Sequence, residues 1–206
     1  MDGHTMHDDL INIMQLAYNR GWTLGTGGNF SAVLQRDPLH LLMAPSGVDK
    51  GTVKADDLIV VDQQGTVIQG EGKASAETAL HRTLALHANA GAVLHTHSPY
   101  ATVLSLHFVS QGRVSWEGYE MQKGIVGINT HDTRLELPIL PNTQDMTTLG
   151  QNITLPCTDW PYGLLLAGHG LYVWGRNLFE AKRHLEIYEF LLQVKYLETG
   201  NCLPSQ

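Results

Sequence analysis

Residues 92–100, Ala-Val-Leu-His-Thr-His-Ser-Pro-Tyr, constrain this chain more than any other stretch. Ala92 to Thr96 is a short apolar run closed by a turn signal at Ser98-Pro99, the pattern of a buried strand. Side chains alternate along a strand, so His95 and His97 project to one side. Two imidazoles on one face of a rigid strand make a preorganised two-nitrogen site for a borderline divalent metal such as zinc. The same pattern also suits a hydrogen-bonded pair of histidines at a strand end.

The 206 residues suffice for a sizeable core, and one domain across 1–206 is the simplest organisation. Apolar residues at 43% and 21 glycines fit an α/β protein with many tight turns. A net charge of −7 argues against a nucleic-acid partner. A phosphorylated substrate would therefore be held by local backbone donors and a few cations. Cys157 and Cys202 show no CxxC spacing, which predicts neither a zinc ribbon nor a disulfide framework and suits a reducing compartment. No charged-then-apolar leader and no long apolar run is visible. The expectation is a cytoplasmic chain with no membrane partner.

Taken in order, Asp8 to Arg20 reads as an amphipathic helix with Leu10, Ile13, Met14 and Ala17 in one stripe. Gly25-Thr-Gly-Gly-Asn-Phe-Ser31 is a glycine loop able to wrap an anion, or a plain turn between helix and strand. It has neither the Walker A ending nor the dinucleotide fingerprint. Leu39 to Ala44 reads as a strand running into Pro45-Ser-Gly-Val-Asp-Lys-Gly51, a second small-residue loop with a hydroxyl and a cation. Residues 58–61 and 66–68 suggest an antiparallel hairpin. Ser75 is placed as the N-cap of the next helix, with Glu77 in its positive first turn. Glu77 serves either the helix dipole or a metal that it faces. His81 and His87 read as packing or surface residues.

Pro99 opens a further helix to about Leu106, closed by a structural His107. Residues 116–125, Trp-Glu-Gly-Tyr-Glu-Met-Gln-Lys-Gly-Ile, read as an exposed polar loop with Trp116, Tyr119 and Met121 as apolar anchors. Leu135 to Leu140 reads as a strand with Glu136 toward solvent, and Pro138 places it at a sheet edge. Residues 164–168, Leu-Leu-Leu-Ala-Gly, are a buried strand, and Leu171 to Trp174 the return. His169, between two glycines at that turn, is either a turn residue or a third metal ligand. It lies 72 positions beyond His97, so only the fold can unite them. The longest helix runs from Asn177 to Tyr196 behind a capping-box-like start, with Ala181, Leu185, Tyr188 and Leu192 inward and His184, Glu186 and Glu189 on polar or flanking faces.

As a set, Gly27-Gly-Asn-Phe-Ser31, Pro45-Ser-Gly47, Ser75-Ala-Glu77, His95-Thr-His-Ser98 and Gly168-His-Gly170 resemble the class II aldolase/adducin family in order and over nearly the whole chain. The resemblance implies an α/β fold of three α/β/α layers, with a mostly antiparallel central sheet flanked by helices, and homotetramers with sites near subunit interfaces. It implies that His95, His97 and His169 bind one divalent metal, usually zinc. It implies that Gly28, Asn29, Ser46, Gly47, Ser75 and Ala76 hold the phosphate of a small phosphorylated ketose. Residues 119–125, Tyr-Glu-Met-Gln-Lys-Gly-Ile, are similar to the segment that carries the acid/base of the family's dehydratases, which places that role on Glu120. The activity implied is dehydration of 5-methylthioribulose 1-phosphate in methionine salvage. Glu77 matches the position of the catalytic carboxylate in the family's aldolases. The competing expectations are an aldolase, a 4-epimerase, or a non-catalytic adducin-like interaction domain. Trp116, Met121 and Phe108 are candidates for the methylthio group, with core packing as the simpler role for each.

Overall fold

The computed structural model describes residues 5–143 and 162–201. Cys157 and Cys202 lie outside the described residues. Four α-helices are described: α1 (Met6–Asn19), α2 (Thr78–His87), α3 (Pro99–His107) and α4 (Leu178–Asn201). The strands are β1 (Asn29–Arg36), β2 (Leu39–Met43), β3 (Ile59–Val61), β4 (Val67–Gln69), β5 (Ala92–Thr96), β6 (Arg113–Trp116), β7 (Leu135–Leu140), β8 (Gly163–Leu166) and β9 (Gly170–Gly175). They form one sheet in the order β4-β3-β2-β1-β5-β9-β8-β7-β6. Every pairing is antiparallel except β7 with β8.

β5 lies at the centre of this sheet, between β1 and β9, and is buried along its whole length. Its alternation sorts the two faces. Ala92 and Leu94 join a core with Leu10, Met14, Leu104, Leu185 and Leu192 from α1, α3 and α4. Val93 joins Leu80 and Leu84 of α2, with Leu164, Leu166, Tyr172 and Trp174. The fold is thus α/β, with helices on both sides of a mostly antiparallel sheet. Strands covered on both faces read as continuous apolar runs, which is why residues 92–94 and 164–166 show no polar alternation.

Local signals set the helix starts. Thr5 caps α1 by accepting from the Asp8 N–H, and the Asp8 carboxylate accepts from the Thr5 N–H. Such a cap contributes about 1 kcal/mol. Ser98 caps α3 with Pro99 at its first position. Asn177 Oδ1 accepts from the Glu180 N–H, while the Glu180 carboxylate accepts from the Arg176 N–H.

Four expectations are corrected. α2 starts at Thr78, so Glu77 and not Ser75 occupies its cap position; Ser75 instead turns the chain, its carbonyl accepting from the Thr78 N–H. β7 is an interior strand with β6 outside it, because pairing with β8 begins at Ile139, one residue past Pro138. His184 and Glu189 of α4 are buried. His184 contacts the Trp174 carbonyl through Nδ1, and its Nε2 accepts from the Val126 N–H. α4 is covered by the sheet on one side and by residues 120–126 on another, which leaves it less polar surface than its sequence suggests. Met121 is exposed rather than a core anchor, whereas Trp116 is buried and donates from Nε1 to the Leu191 carbonyl.

Candidate metal and phosphate site

His95 stands on the face of β5 that looks toward α2, its ring stacked on Tyr172 at 3.8 Å. His97 follows just past the strand end and His169 sits in the β8–β9 turn, which the sheet order brings beside β5. The three Nε2 atoms converge: His97 to His95 is 2.7 Å, His169 to His97 3.1 Å, and His95 to His169 3.3 Å. Glu77 Oε1 lies 3.2 Å from His169 Nε2 and 3.5 Å from His95 Nε2.

Two glycines make this convergence possible. At Gly170 a Cβ would lie 2.1 Å from the Thr96 carbonyl, 3.0 Å from the His95 ring and 3.1 Å from the His97 ring. At Gly28, with φ +78°, a Cβ would lie 2.6 Å from the His95 carbonyl.

The donor set fits a divalent cation. His95 Nδ1 is 2.9 Å from the Leu171 carbonyl, which fixes the proton there and leaves the Nε2 lone pair toward the cluster. Burial, followed by the neighbouring His95 and His169, lowers the His97 pKa to about 4, so its ring is neutral. Burial alone would raise the Glu77 carboxyl, but the adjoining His169 and His95 rings outweigh it and hold it below the usual carboxylate range. Three imidazole nitrogens and a carboxylate oxygen, all within 4.8 Å of one another, form a four-donor group. Neutral imidazoles turned toward each other repel through their lone pairs unless a proton or cation lies between them, and this N/O set suits zinc and its borderline neighbours.

Two cavities meet at Glu77, His97 and Ser75. The larger, about 580 Å³, is also lined by Ala76, Thr102, Asn142, Thr143, Gly168 and His169. The smaller, about 130 Å³, is lined by both glycine loops: Thr26 to Asn29 on one side, and Pro45, Ser46, Gly47 and Lys50 on the other. Gly28, Asn29, Ser46, Gly47 and Ser75 therefore surround one small cavity, while Ala76 faces the larger one. The Ser46 N–H is already donated to the Lys73 carbonyl, which leaves its hydroxyl for a ligand.

Glu120 is elsewhere. It opens a short 3-10 turn, Glu120–Gly124, is exposed, and pairs with Lys123 at 2.6 Å and His131 at 3.7 Å. It lines neither cavity. Nor do Trp116, Met121 and Phe108. His81 is a packing residue, buried and 2.8 Å from the Ser31 hydroxyl through Nδ1, and His87 is exposed. Sequence reasoning noted the cation of residues 45–51 without naming Lys50 as a site residue, and missed Thr102, Asn142 and Thr143. The cation in residues 45–51 was the one available signal for Lys50; the others carry no local pattern.

A family model described as the class II aldolase and adducin N-terminal domain matches residues 8–196. A methylthioribulose-1-phosphate dehydratase from Marinobacter nauticus is 39% identical over 95% of this chain and 94% of its own length. One from Xanthomonas euvesicatoria is 43% identical over 89% of this chain and 84% of its own. Among solved structures, an L-fuculose 1-phosphate aldolase superposes with a TM-score of 0.78 at 25% identity, covering 100% of this chain and 91% of that one. The Thermus thermophilus enzyme of that name gives 0.76 at 22% identity over 94% and 95%, a likeness of fold.

Proposed function

Since the chain belongs to the class II aldolase and adducin family, we propose that it is a hydro-lyase converting 5-methylthioribulose 1-phosphate to 2,3-diketo-5-methylthiopentyl 1-phosphate in methionine salvage. One observation carries this reading: the dehydratase relatives match nearly end to end, so the likeness includes every segment that builds the site.

His95, His97 and His169 would hold one zinc ion per chain. When bound, that cation supplies Lewis-acid polarisation of the substrate carbonyl, which acidifies the adjacent C–H. The loops around Gly28, Asn29, Ser46, Gly47, Ser75 and Ala76 would hold the phosphate, and this remote binding orients the reacting carbons. A carboxylate takes the C3 proton, and a proton returned to the C4 hydroxyl lets it leave as water. The resulting enol tautomerises to the 2,3-diketone.

The base is assigned to Glu120. Since it is exposed and lines neither cavity of its own chain, this assignment has it reach a site on a neighbouring copy, in keeping with a homotetramer whose sites lie near interfaces. Glu77, already against His95 and His169, orients the histidines and shapes the cation's surroundings. A cytoplasmic location completes the reading; no described helix is long and apolar enough to cross a membrane.

Glu77 also favours a second reading, because it is the one carboxylate lining both cavities among the described residues. With Glu77 as base the same site cleaves a C3–C4 bond as an aldolase. Mass analysis of the product from 5-methylthioribulose 1-phosphate separates the two. Loss of one water supports the dehydratase, whereas dihydroxyacetone phosphate with an aldehyde overturns it.

A further inference from the structure

We propose that Lys50 is the cationic contact of the substrate phosphate, and that its ammonium ties the two glycine loops together around that phosphate. This rests on the phosphate assignment above and goes beyond it, because Lys50 lies outside the motifs that carry the family likeness.

Lys50 is 2% exposed, although lysine is among the residues least often buried. Its Nζ donates to the Thr26 carbonyl at 2.9 Å and to the Val48 carbonyl at 3.0 Å. Thr26 belongs to the first glycine loop and Val48 to the second, so one ammonium bridges both. An ammonium has three donors, and these two carbonyls use two of them. Burial lowers the Lys50 pKa, while the charges of Glu77 and Asp49 oppose that.

Lys50 also lines the 130 Å³ cavity formed by the same two loops. A second side chain there lacks an acceptor. Asn29 is 3% exposed, and its amide Nδ2 has no hydrogen-bond partner. An unmade bond from a buried amide is costly, and a ligand rich in acceptor oxygens would complete it. A buried cation with a third donor and an unpaired amide, on one small cavity, describe an anion site built in advance. In a chain of net charge −7, a phosphate dianion needs such a local cation to offset the surrounding field.

The consequence is selectivity. A phosphorylated ketose would gain a charge-assisted hydrogen bond at Lys50 that its unphosphorylated counterpart cannot make.

The test uses the metal-loaded protein and inorganic phosphate, with binding followed by calorimetry. Lys50→Met is expected to weaken phosphate about 10- to 100-fold and to raise KM for the phosphorylated ketose by a similar factor. Lys50→Arg, which keeps the charge, is expected to recover most of the affinity, and metal content should not change. If Lys50→Met does not fold, the Lys50 Nζ resonance of the unaltered protein, identified by its absence from Lys50→Arg, should move as phosphate is added. Unchanged phosphate affinity in folded Lys50→Met, or an Nζ resonance indifferent to phosphate, would overturn the inference while leaving dehydration intact. No phosphate binding to the unaltered protein would overturn both this inference and the phosphate assignment beneath it. Phosphate binding through Lys50 without dehydration would uphold the inference and remove the dehydratase reading.

Discussion

Glu189 of α4 accepts a hydrogen bond from the Thr96 hydroxyl at 2.8 Å, across a fully buried contact. Thr96 is the residue between His95 and His97, and it faces away from them. The long helix therefore grips the histidine-bearing strand end from the opposite side of the sheet. Burial raises the Glu189 carboxyl to about 7, against hydrogen bonds from Ser98 and Thr96 that lower it.

That shift fixes a pH dependence. The folded chain keeps the Glu189 proton up to about pH 7, while the unfolded chain releases it near the ordinary value of 4.5. Between those values the folded state binds more protons, so this residue's contribution is full below the lower value and is lost as pH rises through the upper one. Glu189→Gln, neutral throughout, should therefore gain stability relative to the parent by about 2–3 kcal/mol between pH 5 and pH 8. Thermal melts of both proteins across that range check this, and a difference that does not change with pH would contradict it.

Gly170→Ala should damage fold and site together. Its Cβ would sit 2.1 Å from the Thr96 carbonyl, a backbone atom that cannot swing aside. A cost of about 1–3 kcal/mol is expected from the forced shift. Because that shift separates β9 from β5 beside His95 and His97, metal affinity should fall as well. Melting temperature and metal content measured on one preparation test both effects.

Glu120→Gln should leave melting temperature and metal content unchanged, since the side chain is exposed and its partner Lys123 remains solvated. Dehydration should drop to background. If Glu120 acts on a neighbouring copy, co-assembly with His97→Ala chains should restore activity, because each hybrid pairs an intact metal site with an intact base. Hybrids as inactive as their parents would remove the neighbouring-copy arrangement, and a Glu120→Gln protein that keeps full dehydration would return the base to Glu77.

Much of this architecture is legible in the chain. The buried run at 92–96 announces the central strand, and its period of two places His95 and His97 together. His169 is not legible from spacing, because a turn 72 positions away meets the pair only through the β5–β9 ladder. Burial of His184 and Glu189 is hidden for a related reason. Polar residues on a helix read as solvated unless the elements that cover both of its sides are known. Pro138 misleads because a proline rules out a paired strand only where its missing N–H is needed. Residues 45–51 show a cation in a small-residue loop, but only the carbonyls of both loops show that Lys50 is enclosed between them.

The central claim is that the three converging histidines hold the cation on which elimination depends. It is tested most directly by removing metal with a chelator, adding zinc back in steps, and measuring water loss from 5-methylthioribulose 1-phosphate at each step. The account predicts activity rising in proportion to bound zinc, saturating near one ion per chain, and absent at every step in His97→Ala. Full dehydration by metal-free protein, or by His97→Ala, would contradict it.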